Sequence, residues 1–495
     1  MKRIASALFL LCAFAARAAE VADPCRPPTF PSPEFNAANF NVRDFGAVAD
    51  GRANDTGAIN RAIEKCNSVG GGDVVFPAGK YAAASIHLKS NIRFLLDKDA
   101  VITGAPSGYD PPEPNEFEKY QDFGHSHFRN ALMWGENIEN FAIIGGRVNG
   151  GYIVEGDPKG RDIGDKVISI TRSRNLLFQN VTHETGGHFV YLLNDCENVH
   201  IDRVRVKKSR DAVNFVGCRN VQLHGCNFTG CGDDTIALKS DWALGRKILS
   251  ENIYVWDSYL ETSCNALQFG AETTGDFRNV NFWNIRIGRA MKAAIGITSA
   301  NGGLIDGVNY RDITIKGAAC PIFIHVINQR RSSDPNQKIG AIKNVKISNV
   351  SITDCRPTKG GLLRTSAILG HPGSYLENIM LEQVKMVSKG GGKYATAWDL
   401  KDEPRKVAKK ALPAAGLYIR HAKGVTLENV ELALESPDSR PPLVVYDAIG
   451  LTLNNFKSQK TASGMLRLEK VENLSVLNSQ GLPERRSENL QTLTE

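Results

Sequence analysis

One phrase recurs along this chain from Asn140 onward, and it fixes what the chain can become. An Asn or Gly and an apolar residue open a short alternating run, often followed by a second Asn-apolar pair, as in "RNLLFQNVTHET", "ENVHIDRVRV", "RNVQLHGCNF", "ENIYVWDSYL", "RNVNFWNIRI" and "KNVKISNVSI". The leading asparagines Asn175, Asn198, Asn220, Asn252, Asn279, Asn344 and Asn378 lie 22 to 65 residues apart. A minimum period near 22 with strand-like alternation is the mark of a solenoid, in which each repeat buries its apolar side only against its neighbours. Each repeat holds two or three alternating, β-branched pieces separated by Asn, Gly or Asp turns, and helical periodicity is nearly absent beyond the N-terminus. The fold predicted is all-β: a single-stranded right-handed parallel β-helix, with the asparagines forming a ladder at one bend. A propeller would keep a more regular period of roughly 40 to 50 residues.

The ends depart from the phrase. In "NDTGAINRAIEKCNSVGGG", Asp55 or Thr56 stands in a cap position and Ile59, Ala62, Ile63 and Cys66 share one helical face before a glycine stop. A short helix is expected there to cover the open end of the solenoid, whose bare edge would otherwise pair with another molecule. The expected boundaries are a signal peptide over 1–19, the β-helix over 38–480 and a polar C-terminal tail over 481–495. Lys2 and Arg3, the run "IASALFLLCAFAA" and the small residues Ala16 to Ala18 have the make-up of an export signal. Secretion or a periplasmic location is the expectation, with no membrane span. A net charge of +7 is mild for 495 residues; it suits an acidic polysaccharide and is too weak and too scattered to argue for nucleic acid, so no nucleic-acid partner is expected. Nine cysteines remain beyond the signal segment; their spacing lacks a paired C-x-x-C, so buried or disulfide-bonded residues are expected, not zinc ligands.

One stretch resists a purely structural explanation. "GCGDDTIALKSD" sets Asp233 beside Asp234 at the mouth of a strand. Aligning successive coils on their apolar runs gives "DAVNF" from Asp211, "DTIAL" from Asp234, "NALQF" from Asn265 and "AAIGI" from Ala293. Asp211 and Asp234 then share a column one coil apart, about 4.8 Å in the hydrogen-bonding direction, and Asp233 leans in from the neighbouring bend. Three carboxyl groups are thus expected to converge on one exposed strand. Crowding raises one pKa, so that one acid keeps a proton while a neighbour stays ionised. Glycoside hydrolysis needs that division: one carboxyl protonates the leaving oxygen and another activates water.

The entry stretch "NVRDFGAVADGRANDTGAINRAIEKCNSVGGGDVVFPAGKYAAASIHLKSNI" resembles that of pectin-degrading β-helix enzymes. "GDDTIALKSD" resembles the central motif of the polygalacturonases, glycoside hydrolase family 28, and "LPAAGLYIRHAKGVTLENVEL" is similar to the last coils of bacterial members. The resemblance implies a hydrolase of pectic or related polysaccharide acting by inversion; no cofactor or metal and a monomeric state are further expectations. It implies that Asp234 is the general acid and that Asp211 and Asp233 orient and deprotonate water. Two motifs depart from the family. Its Gly-His-Gly reads "CNA" here, with Asn265 at the histidine position, and its carboxylate-gripping Arg-Ile-Lys reads "GIT", Gly296 to Thr298. The substrate therefore differs, or other cations such as Arg210, Arg289 or Lys292 take over. Further candidates for substrate contact are Asn265, Gln268, Lys239, Glu272, Trp242 and Arg210; Lys239 reads equally as a charge partner of the acids and Trp242 as packing. His188 and His325 read as structural and His421 as a turn residue. The loops "GYDPPEPNEFEKYQDFGHSHFRN" and "INQRRSSDPNQKIG" are expected to wall the groove. The alternatives are a hydrolase of a non-galacturonan glycan, a β-helix polysaccharide lyase using a Lys or Arg base, and a glycan-binding protein without turnover.

Overall fold

A computed structural model describes residues 26–495 apart from 121–122, 151–165, 329–336, 359–360, 362–363 and 393–411. The expected signal segment, Cys25 and part of the second loop lie outside the described residues. The chain winds into a parallel β-helix. Phe189–Asn194, Glu197–Asp202 and Arg205–Val206 make three sides of one coil, and Asp211–Val216, Arg219–His224 and Asn227–Cys231 repeat them on the next. Each strand pairs in parallel with its counterpart one coil on, so that Tyr191 lies under Val213, Val213 under Ile236, Ile236 under Leu267, Leu267 under Ile295 and Ile295 under Ile322. That column is wholly buried. Each such side chain contributes about 1.5–3 kcal/mol on leaving water, which is why alternation along the sequence translates into stacked apolar columns.

The bends explain the asparagines. Asn140, Asn175, Asn198, Asn220, Asn252 and Asn279 all adopt left-handed backbone, with φ between 51° and 56°, a conformation that Asn tolerates better than other side chains with a Cβ. Their amides join into a ladder. Asn175 Nδ2 donates to Asn140 Oδ1 at 2.9 Å, Asn198 to Asn175 at 2.9 Å, Asn220 to Asn198 at 3.1 Å, Asn252 to Asn220 at 3.0 Å and Asn279 to Asn252 at 2.8 Å. The next coil has Gly307 in the left-handed conformation, and Asn344 and Asn378 resume the ladder with a bond of 3.0 Å.

The N-terminal helix spans Thr56–Ser68 and buries Ala58, Ile59, Ala62, Ile63 and Cys66, the face expected. Asp55 stands at its N-cap, but the carboxylate bonds outward, accepting from the amides of Val48 at 2.7 Å and Ala49 at 3.1 Å. At the other end, residues set apart as a polar tail form a strand. Arg485–Thr494 pairs antiparallel with Leu466–Leu477, and Leu490 and Leu493 pack on the last of the core. Among the described residues no helix is long and apolar enough to cross a membrane. The eight described cysteines are all buried and free of disulfides.

Candidate active site

The register brings the three acids together as the sequence alignment required. Val213 pairs with Ile236 and Ile236 with Leu267, which sets Asp211, Asp234 and Asn265 one above another. The backbone confirms the column: Ala212 N–H donates to Asp234 O at 3.1 Å and Thr235 N–H to Asn265 O at 3.1 Å. One residue earlier runs a second column of Arg210, Asp233, Cys264 and Lys292, with Asp233 N–H bonded to Arg210 O at 2.9 Å and Lys292 N–H to Cys264 O at 2.8 Å.

One expectation needs correction: the acids do not stand on an exposed strand. Asp211 is 2% exposed and Asp234 7%, while Asp233 is half-buried. Two loops pack beside this face. Phe128 from the loop before Asn130, and Ala243 from the loop after Lys239, pack with Phe189, Leu192 and Val216. The loops are fastened to each other. Asn115 Nδ2 donates to Ser126 O at 2.7 Å and Ala243 O at 2.9 Å, and the Glu113 carboxylate accepts from the amides of Phe128 at 2.8 Å and Arg129 at 3.0 Å.

Burial splits the three carboxyls. Removal from water pushes Asp234 up to about 7, aided by the charges of Asp211 and Asp233 and opposed by Lys239 and the Asn265 amide. Burial likewise pushes Asp211 up to about 6 against the pull of Lys239 and Arg210. At Asp233 burial is outweighed by the Cys264 thiol and by the charges of Arg210, Lys292 and Lys239, so its carboxyl is held below the usual range. The geometry agrees: Arg210 Nη2 donates to Asp233 Oδ2 at 2.9 Å and Lys292 Nζ lies 3.9 Å from its other oxygen. Asn265 Nδ2 reaches Asp234 Oδ1 at 2.8 Å, and Asn214 Nδ2 reaches Asp211 Oδ2 at 3.2 Å. Asp211 Oδ1 and Asn214 Oδ1 are buried without any protein partner; acceptors so placed can hold a water or a protonated ligand group. Asp233, Asp234 and Cys264 place ligand atoms within 4.8 Å of one another. Burial and the two nearby acids raise the Cys264 thiol, which keeps it protonated, and two carboxylates alone make a poor cage for a hard cation.

The substrate-contact candidates divide. Asn265 sits on the acid pair, as placed by the alignment. Arg210 is engaged with Asp233. Lys239 and Glu272, each 8% exposed in the side chain, face each other at 3.1 Å, so two of the candidates are paired with one another. Gln268 is turned in, its Nε2 donating to Phe269 O at 2.7 Å. Gly296 makes room for it, since a Cβ there would lie 2.1 Å from Gln268 Oε1; the changed "GIT" motif and the folded glutamine are two halves of one packing solution. Trp242 is half-buried with its ring 6.2 Å from Tyr120. His325 is buried, and His421 occupies a left-handed turn position bonded to Asp447.

Two residues escaped sequence reasoning. His125, from the first loop, lies 3.3 Å from Lys239 Nζ. Arg364 lines a cavity of about 170 Å³ with Asn265, Gln268, Lys292, Thr298 and Phe323, and its Nε is buried without a partner. The histidine cluster in "GHSHF" was the only available signal for the first; nothing in the repeat marked the second.

Comparison with known proteins gives the following relatives. The model of glycosyl hydrolases family 28 matches residues 113–408. A probable polygalacturonase of Vitis vinifera is 24% identical over 321 residues, covering 57% of this chain and 61% of that protein. Plasmin and fibronectin-binding protein A of Streptococcus pneumoniae is 26% identical over 307 residues, covering 57% and 40%. The chain thus spans less than two thirds of the length of these curated relatives. In fold it is similar to the polygalacturonase from Erwinia carotovora ssp. carotovora, with a TM-score of 0.55 at 17% identity over 82% of this chain and 96% of that one.

Proposed function

The chain belongs to glycosyl hydrolases family 28, and from that premise we propose that it is an exported hydrolase of O-glycosidic bonds in pectic or related acidic polysaccharide. The observation that carries this reading is the meeting of three carboxyls, with Asp211 and Asp234 buried in one column and Asp233 beside them between Arg210 and Lys292, an arrangement that raises the first two and keeps the third ionised. Asp234 is the general acid: its proton is retained near neutrality and passes to the departing glycosidic oxygen as the C–O bond breaks. Asp233, ionised between Arg210 and Lys292, takes the proton of the attacking water together with Asp211. The water enters on the face opposite the leaving group, and the product anomer is inverted. One sugar ring occupies the cavity beside Asn265, against Phe323, with Arg364 and Lys292 supplying positive charge for an acidic substituent. These cations stand in for the pair that "GIT" lacks.

The test is release of reducing ends from a panel of polygalacturonate, rhamnogalacturonan and neutral plant polysaccharides, with proton NMR of the first product anomer. Release from an acidic member with inversion supports the reading; formation of an unsaturated product instead replaces it with a lyase. A second reading has one observation in its favour. The similarity to a plasmin- and fibronectin-binding protein, together with Asn265 in place of a titratable histidine, fits a β-helix that binds without turnover. Tight binding of a panel member with no cleavage would establish it.

A further inference from the structure

Lys239, Glu272 and His125 form a buried polar cluster that the hydrolytic scheme does not use. Lys239 carries three N–H donors. The ammonium forms an ion pair with Glu272 Oε2 at 3.1 Å, and one N–H faces His125 Nε2 at 3.3 Å. A ring nitrogen that faces an ammonium must accept, so His125 is neutral with its proton on Nδ1, and that Nδ1 stands 4.0 Å from the same Glu272 oxygen. Burial and the Lys239 charge hold His125 down to about 3, in keeping with this tautomer. The ring is packed on Phe189, with centroids 5.1 Å apart, and Phe189 is the residue directly below Asp211 in its column. The loop that delivers His125 is the one pinned by Asn115 and Glu113.

We propose that His125 is a positioning residue: with Glu272 it fixes the Lys239 ammonium beside Asp211, so that the buried acid pair holds one proton instead of two. This rests on the hydrolytic reading above. Lys239 is the foremost charge drawing Asp211 toward ionisation. With the ammonium displaced, burial would leave both acids protonated and the water without one of its bases. The other charged or titratable groups around this cluster are Asp234, Asp233, Arg210 and Lys292 on the acid side, Asp241 on the strand exit, and Lys166 and His188 on the coils below. Arg210 and Lys292 are both bound to Asp233, whereas Lys239, the foremost charge acting on Asp211 ahead of Arg210, is held by Glu272 and His125.

The experiment compares pH profiles of kcat/KM for the wild type, His125→Phe, His125→Gln and Glu272→Gln on the best acidic polysaccharide. Phenylalanine keeps the ring packing and removes the acceptor; glutamine restores an acceptor without the ring. The expected result is an acidic limb moved up by roughly half a pH unit or more in His125→Phe, with kcat lowered about tenfold and KM within twofold, and recovery of the limb in His125→Gln. Glu272→Gln removes the counter-charge that holds the Lys239 ammonium in place and is expected to move the limb up, in the same direction as His125→Phe. The infrared carboxyl signal lost in Asp211→Asn reports the same titration without turnover, so a failure of hydrolysis is separable from a failure of the positioning role. A limb and an Asp211 signal unmoved in His125→Phe, or moved equally in His125→Phe and His125→Gln, would overturn the proposal.

Discussion

Two columns run up the same rod and are built on opposite rules. Along the bend from Asn140 to Asn279, each coil repeats one residue type, one left-handed conformation and one hydrogen bond to the coil below. Along the column from Phe189 through Asp211, Asp234 and Asn265 to Ala293, the side chain changes at nearly every coil, and buried oxygens of Asp211 and its neighbour Asn214 lack partners. The first column satisfies every group it buries and holds the shape. The second tolerates crowded acids and orphaned acceptors, which destabilise a fold and are explained by a ligand or a reaction. Where a solenoid stops repeating itself is where its chemistry sits.

The strongest way to break this contrast is to neutralise the odd column. Asp234→Asn is expected to lower kcat on the preferred polysaccharide by about 10³-fold, the loss of a general acid, while circular dichroism remains that of the wild type. Retention of activity within tenfold would make the column ordinary. The same substitution should have an opposite effect on stability. Folding raises Asp234 from 3.8 to about 7, so its contribution is fully present below pH 3.8 and is lost as pH rises toward 7. Asp234→Asn escapes that loss. It should therefore be more stable than the wild type by a few kcal/mol near pH 7 and close to it near pH 4, as read from thermal melts at both pH values. An equal offset at both would show that the site is not strained by its charge.

The regular column should respond in the reverse sense. Asn220→Ala removes two ladder bonds of 3.1 and 3.0 Å and places alanine in left-handed backbone, at a cost of roughly 2–3 kcal/mol. The melting temperature should fall while kcat of the folded enzyme is unchanged; a drop in kcat without a drop in stability would blur the two columns. The smallest effect is expected at the cavity. Arg364→Ala should raise KM for an acidic polysaccharide about tenfold and leave kcat and melting unaltered, and an unchanged KM would remove the cation from the substrate's contacts.

How much of this was legible in the chain follows from the same contrast. The coil stack was readable because in-register parallel pairing forces like residues into like bends, and Asn at a left-handed turn is a local requirement written at each repeat. Asp211 and Asp234 could be aligned for the same reason: both open an apolar run of fixed parity. Their burial could not be read, because the residues that pack beside this face, such as Phe128 and Ala243, lie on loops whose sequences carry no period. The meeting of His125 with Lys239, 114 residues apart, has no local signature, and the inward turn of Gln268 depends on the missing side chain at Gly296 on the next coil. Lys239 and Glu272 were visible as candidates, yet only the packed coordinates show them turned to each other.

The central claim is that one carboxyl of the crowded pair keeps its proton near neutral pH, and infrared difference spectroscopy of wild type against Asp234→Asn at pH 6 reads it directly. The account predicts a protonated-carboxyl stretch present in the wild type and missing from the variant. A wild-type spectrum in which Asp234 contributes only carboxylate bands at that pH would contradict it.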